Sequence, residues 1–192
     1  MSTEISDLLG RAVPATAALV AGVRDEQLGQ ATPCAEFTVR DLLNHLFQVA
    51  RNFQLLAARQ DVDWTDTPDS LTGDWRADFR SHAHDMIIAW ADPAALDGVS
   101  PGMGLPQRTL GLMMVVDLVV HGWDLARATG QPYTVDAGLL APTAEFLDIM
   151  GDMGRKMGAF GPAVPAPDGT DRLGELLAVT GRDPRWHATV PE

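Results

Sequence analysis

The chain is poor in cysteine and in long apolar runs. Cys34 is the single cysteine among 192 residues, which excludes an intrachain disulfide and a zinc site built mainly from cysteine thiolates. We interpret it as a small structural residue in a cytoplasmic protein. No apolar run approaches the roughly 20 residues that span a bilayer, and the first residues lack the basic start and apolar core of a signal peptide. We therefore expect no membrane association.

Positive charge is also scarce. Lys and Arg together number 14 against 26 Asp and Glu, which gives a formal net charge of −12. No cluster of basic residues interrupts this negative field, so nucleic-acid binding is not expected. The phosphate-binding pattern Gly-x-x-x-x-Gly-Lys-Ser/Thr and the zincin pattern His-Glu-x-x-His are absent, which argues against nucleotide enzymes and zincin proteases.

Apolar residues recur at spacings of three and four along most of the chain, which predicts an all-α fold. Thr38, three residues before Asp41, predicts a helix start with a capping box, and Gly130 predicts a helix end. The simplest arrangement is one domain, with a bundle of four main helices in residues 1–159 and an extension in residues 160–192. The predicted helical segments cover residues 5–24, 38–57, 73–90, 109–128, 136–157 and 171–180.

Asp117 and His121 form the first candidate functional pair. Their spacing of four residues places a carboxylate and an imidazole on one face of the predicted fourth helix, as in a two-ligand metal site. The surrounding residues are apolar, so the carboxylate needs a partner to offset its lost hydration. A metal cation is one such partner, and a hydrogen bond between the two side chains is the alternative.

His45 lies within the second predicted helix among apolar residues. It is either a satisfied core histidine or a third metal ligand. Three ligands from two helices would match the open site of a catalytic metal, and two imidazoles with one carboxylate suit zinc, nickel, iron and manganese to differing degrees. Without a metal, His45, Asp117 and His121 would form a buried hydrogen-bond network.

Two more polar residues follow on the fourth helix. Asp124, three residues after His121, is either a hydrogen-bond acceptor for the imidazole N–H of that ligand or a surface carboxylate. Arg127 could pair with Asp124, anchor the carboxylate of an anionic substrate, or remain a solvated arginine in the last helical turn.

Two segments carry a resemblance to a known family. They are residues 32–46, where Thr-Pro-Cys leads to Val-Arg-Asp-Leu-Leu-Asn-His-Leu, and residues 117–131, which begin Asp-Leu-Val-Val-His-Gly-Trp-Asp-Leu-Ala-Arg. They resemble the DinB-like superfamily, and more narrowly the branch related to the mycothiol-dependent maleylpyruvate isomerase N-terminal domain. Residues 158–162 and 176–184 also fit a short, single-domain group of that branch, so the resemblance covers nearly the whole chain.

This resemblance implies a DinB-like four-helix bundle that holds a divalent metal, Zn²⁺ in preference to Ni²⁺, near one end. His45, Asp117 and His121 fall on the family's metal ligands, Asp124 would orient a ligand, and Arg127 would be an anchor for substrate. The metal could hold mycothiol or a similar thiol as a thiolate and present it to an electrophilic substrate. The expected activity is a metal-dependent thiol transferase or isomerase, and the alternative is a non-catalytic metal-binding module with a structural or interaction role.

The chain departs from the isomerase in two respects. Asp117 stands where that branch usually has glutamate, and the shorter side chain would place the metal closer to its helix. The last 30 or so residues are too few to form the isomerase's separate C-terminal domain, so maleylpyruvate isomerisation does not carry over. The expected partners are a small thiol and an electrophile, and apolar helix faces in a bundle are consistent with a homodimer.

Overall fold

A computed structural model describes residues 2–188. The described residues form six α-helices joined by loops and short 3₁₀ turns, with two isolated β-bridges and no strand. The prediction of an all-α fold is therefore confirmed, and each predicted helix is present within a few residues of its expected ends. The helices are α1 (Glu4–Gly22), α2 (Val39–Ala57), α3 (Trp75–Trp90), α4 (Gln107–Thr129), α5 (Leu140–Lys156) and α6 (Arg172–Val179).

Local sequence signals determine where the helices begin and end. Thr38 caps α2, because its side chain accepts a hydrogen bond from the Asp41 backbone N–H at 3.3 Å while the Asp41 carboxylate accepts one from the Thr38 N–H at 2.9 Å. Gly130 ends α4 in the left-handed region with φ of 69°. Pro14 lies inside α1, which continues past it to Gly22.

The first four helices form the bundle. Helices α1 and α2 each pack against both α3 and α4, so two helices that are consecutive in sequence lie on a diagonal. Helix α5 packs on the outer side of α4, and α6 packs against α5. The predicted four-helix bundle with a C-terminal extension is confirmed, and α5 packs outside the four.

Close packing between α1 and α4 depends on a glycine. A Cβ atom at Gly111 would stand 2.6 Å from Cγ1 of Ile5, which is nearer than side-chain carbons approach. Because Gly111 has no side chain, α1 and α4 can come close together at this point. Thr16 on α1 adds a second link between the two helices by donating a hydrogen bond to the Leu118 carbonyl at 3.3 Å. This contact holds α4 close against α1.

Helix α4 is more apolar than the sequence analysis anticipated. By length and composition it could cross a membrane, with a mean hydropathy of 1.4 over its most apolar window, which corrects the expectation that no run approaches this size. In the structure 83% of that window is buried, because α1, α2 and α5 all pack against this helix. A helix that is apolar on every side is typical of the core of a globular fold.

Candidate metal centre

The three residues predicted as metal ligands lie together. His45 comes from α2, and Asp117 and His121 come from α4, which packs against it. Their ligand atoms all lie within 4.8 Å of one another. Oδ1 of Asp117 is 3.5 Å from Nε2 of His121 and 3.8 Å from Nε2 of His45. The i,i+4 pair on one helix thus meets a histidine from the other helix.

The donor set fits a divalent cation. Nε2 of His45 is buried, and no described residue forms a hydrogen bond with it. A buried polar atom without a partner costs free energy, so such atoms are uncommon unless a ligand satisfies them. The separations from Asp117 to the two imidazoles are also long for hydrogen bonds. Imidazole nitrogen and carboxylate oxygen are ligands that Zn²⁺ and similar metals accept, and a cation among the three would give each a partner.

Electrostatics favour the metal-binding forms of Asp117 and His121. Burial by itself raises the pKa of Asp117, but the neighbouring His45, His121 and Arg182 outweigh it and hold that pKa below its usual range. Burial also lowers the pKa of His121, against the opposing effect of its hydrogen bond with Asp124. At neutral pH the carboxylate is therefore charged and the imidazole is neutral, as metal ligation requires.

Asp124 forms a hydrogen bond with His121 on the side of the ring that faces away from Asp117 and His45. Its Oδ2 lies 2.9 Å from Nδ1 of His121, and the side chain is fully buried, so it is not a surface carboxylate. Because both oxygens of Asp124 also accept hydrogen bonds from Arg182, we assign the carboxylate as the acceptor and place the proton on Nδ1 of His121. The lone pair on Nε2 of the same ring then faces Asp117 and His45, as expected when a carboxylate orients a metal-ligating histidine.

Arg182 is the site residue that the sequence analysis missed. Its guanidinium donates to Asp124 from Nη2 at 3.1 Å and from Nε at 3.4 Å, and to the Thr180 carbonyl at 3.2 Å. A buried carboxylate does predict a basic partner. Nothing local in the sequence shows which arginine this is, because Arg182 lies 58 residues from Asp124.

Arg127 has other contacts than those considered from the sequence. Its Nε donates to the Trp186 carbonyl at 2.9 Å, and its Nη2 lies 3.4 Å from the Pro184 carbonyl. The guanidinium also lies over the Trp123 ring, 5.6 Å from its centre. These contacts attach the C-terminal segment to α4, while Asp124 pairs with Arg182.

An open cavity adjoins His45. It has a volume of about 310 Å³. The Phe37 ring forms one wall and lies 5.6 Å from the ring of His45 and 6.3 Å from that of His121, measured between centres. Among the described residues the lining contains two carboxylates and no Lys or Arg side chain. It consists of Glu36, Phe37, Asp41, Asn44, His45 and Thr67.

Two other residues of nucleophilic type are not activated. Burial raises the pKa of the Cys34 thiol, which keeps it protonated at neutral pH. The segment from Gly98 to Gly102 matches the letters Gly-x-Ser-x-Gly around Ser100. That serine is 1% exposed, accepts a hydrogen bond from the Met103 N–H, and lies in a loop before α4 instead of a strand-to-helix turn.

The fold and the His45, Asp117 and His121 cluster define a DinB-like helical bundle. The chain belongs to the family described as the mycothiol maleylpyruvate isomerase N-terminal domain, whose model matches residues 9–126. That range contains all three cluster residues and Asp124, whereas Arg182 lies beyond it.

Two proteins of Mycobacterium tuberculosis are similar to this chain over nearly its full length. Rv0738 of strain H37Rv and MT0763 of strain CDC 1551 are each 34% identical over 178 residues, which covers 91% of this chain and 96% of the relative. Both are described as uncharacterized. No solved structure matches significantly.

Proposed function

We propose that the protein is a divalent-metal-dependent enzyme that joins a small thiol of the mycothiol type to an electrophilic substrate, or uses that thiol to isomerise the substrate. The observation that carries this proposal is the buried Nε2 of His45, which lies beside Asp117 and His121 and forms no hydrogen bond with any described residue. These three residues would hold Zn²⁺ or Ni²⁺. Three protein ligands is also the number that catalytic zinc sites use, which leaves a position for a substrate. Membership in a mycothiol-related family supports the thiol.

The chain's own residues prepare the site for this chemistry. A bound divalent cation supplies a Lewis acid that stabilises a thiolate at neutral pH. Asp117 contributes one negative charge, and Asp124 keeps the proton of His121 on Nδ1, away from the cluster. Phe37 packs beside both imidazoles and shields them from water on that side.

The cavity beside His45 favours neutral or cationic substrates. Glu36 and Asp41 contribute negative charge to its lining, and Arg127, the expected anchor for a substrate carboxylate, binds the C-terminal segment instead. A dicarboxylate would meet like charge there. The substrate class we propose is therefore a neutral or positively charged electrophile of a size that fits about 310 Å³.

Metal analysis tests the ligand set. The purified protein is loaded with Zn²⁺ or Ni²⁺, desalted and analysed for metal and protein. We expect about one ion per wild-type chain and a large loss in His121→Ala, because the remaining two ligands bind weakly. His84→Ala, an exposed histidine on α3, is the matched control and should retain the metal. Equal metal content in wild type and His121→Ala would show that the cluster is not the site.

Thiol binding tests the proposed chemistry separately. Ni²⁺-loaded protein is titrated with cysteamine, 2-mercaptoethanol and 3-mercaptopropionate while the visible spectrum and melting temperature are recorded. We expect a thiol-dependent spectral change, with cysteamine binding more tightly than the anionic 3-mercaptopropionate, and a smaller difference in Glu36→Gln. Metal binding without any response to thiols would contradict the thiol role and leave a non-catalytic metal-binding module.

A further inference from the structure

Arg182 belongs to the C-terminal extension but is buried against the bundle. Its side chain is only 6% exposed, and that of Asp124, its partner on α4, is fully buried. Oδ2 of Asp124 receives both Nη2 of Arg182 at 3.1 Å and Nδ1 of His121 at 2.9 Å. A continuous chain of hydrogen bonds therefore runs from the extension to one of the three cluster residues.

The bond between Asp124 and His121 depends on how the carboxylate is held. A buried carboxylate with a single imidazole partner is poorly compensated and can rotate about its side-chain bonds. Arg182 donates a hydrogen bond to each oxygen of Asp124, from Nη2 to Oδ2 at 3.1 Å and from Nε to Oδ1 at 3.4 Å. These two bonds restrict rotation of the carboxylate. The Arg182 guanidinium is itself held by the Thr180 carbonyl at the end of α6.

We propose that Arg182 is a positioning residue for the metal centre. It fixes the Asp124 carboxylate, which in turn fixes the ring orientation and the Nδ1–H tautomer of His121. Docking of the C-terminal segment thereby completes a site whose ligands all lie on the bundle. This inference rests on the proposed function, because it assigns Arg182 a role toward the metal that the cluster would hold.

The chain offers a matched control for this role. Arg127 anchors the same C-terminal segment through the Trp186 and Pro184 carbonyls but makes no hydrogen bond with Asp124. Loss of Arg127 should loosen the segment, whereas loss of Arg182 should also release Asp124. A comparison of the two variants separates docking of the segment from positioning of His121.

The experiment measures the Kd for Ni²⁺ and the visible spectrum of the Ni²⁺-loaded full chain. We expect Arg182→Gln to bind Ni²⁺ about 10- to 100-fold more weakly, the range seen when the group behind a metal-ligating histidine is changed. Arg182→Lys should recover part of the affinity because it keeps the charge. Arg127→Gln should lower the melting temperature but weaken Ni²⁺ binding far less than Arg182→Gln, because it leaves the contact between Arg182 and Asp124 in place. Equal weakening in Arg127→Gln and Arg182→Gln would overturn the inference.

A double-mutant cycle shows whether Arg182 acts through Asp124. With Asp124→Asn already present, Arg182→Gln should change the Kd for Ni²⁺ by less than about threefold, since the two residues act as one unit. Effects that simply multiply would overturn the proposed route.

The tautomer of His121 gives a readout that needs no metal. Nitrogen NMR of the metal-free wild type should show the proton of His121 on Nδ1, and Arg182→Gln should show a mixture of tautomers. An unchanged spectrum in a folded Arg182→Gln protein would overturn the inference. If wild type bound no Ni²⁺, the proposed function would fail, while this spectrum would still test the link from Arg182 to His121.

Discussion

At the scale of single residues, His121 is the most constrained member of the cluster. Its side chain is 9% exposed, against 21% for His45 and 25% for Asp117. Asp124 accepts its Nδ1–H, while Asp117 and His45 face its other nitrogen. Burial lowers the pKa of His121, so the folded protein resists a proton that the unfolded chain accepts.

This difference predicts a pH-dependent stability for the metal-free protein. The pKa of His121 in the folded protein lies below the ordinary value of 6.5, so below about pH 6.5 the unfolded chain takes up a proton that the folded protein resists. The contribution of His121 to the free energy of unfolding is therefore fully present above about pH 6.5 and falls as the pH drops below it. One such proton changes the free energy of unfolding by at most about 1.4 kcal/mol per pH unit. The lowered pKa of Asp117 acts in a separate window, below about pH 4.

Urea unfolding between about pH 7.5 and pH 5.5 measures the effect. His121→Gln should show a smaller loss of stability over this interval than wild type. The same loss in both proteins would mean that His121 takes up no proton on unfolding.

At the scale of helices, the contact between α1 and α4 places two of the three cluster residues. Gly111 permits the approach at one end, and Thr16 bonds to the Leu118 carbonyl beside Asp117. Helix α2 places His45 beside Asp117 and His121, and the capping box of Thr38 and Asp41 determines where α2 begins. The cluster is therefore built on three packed helices, two of which carry ligands.

Two glycine-to-alanine variants test the α1–α4 contact. Gly111→Ala should destabilise the protein by about 1–3 kcal/mol, because the new methyl group overlaps the Ile5 side chain. Gly10→Ala is the control, since a Cβ there meets nothing within 4 Å, and it should stabilise α1 by about 0.5–1 kcal/mol. Thermal and urea unfolding measure both changes. Stabilisation by both variants would show that α1 and α4 can separate without cost.

At the scale of the whole molecule, side chains join helices that are distant in sequence. Arg108 on α4 binds the carboxylates of Glu4 on α1 and Glu145 on α5. Arg127 and Arg182 attach the C-terminal segment to α4. A cation at the cluster would add a link between α2 and α4, through His45 on one side and Asp117 with His121 on the other.

Metal binding should therefore raise the stability of the whole bundle. A ligand present at 100 times its Kd stabilises the folded state by about 2.7 kcal/mol, which corresponds to roughly 5–10 °C in the melting temperature of a chain of this size. We expect this rise with Zn²⁺ or Ni²⁺, its reversal by a chelator, and its loss in His45→Ala but not in His84→Ala. An undiminished rise in His45→Ala would place the metal elsewhere.

The sequence by itself determined the features that depend on neighbouring residues. Apolar spacing along the chain predicts the helices, Thr38 and Gly130 mark two of their ends, and the four-residue interval between Asp117 and His121 places both on one face. These features are local because helical geometry repeats every 3.6 residues. Joining His45 to that pair needed two helices. The apolar setting of His45 left that connection as one of two interpretations, and the resemblance to the family favoured it.

Only the tertiary structure decided which distant groups meet. It buried Asp124, paired it with Arg182 across 58 residues, and turned Arg127 toward the C-terminal segment. It also placed α5 outside the four-helix bundle and buried α4, which by length and composition alone could also cross a membrane. The physical reason is that a buried charge requires a hydrogen-bonding or oppositely charged partner, and an apolar helix face must pack against other residues. Neither requirement specifies which part of the chain provides the partner or the packing surface.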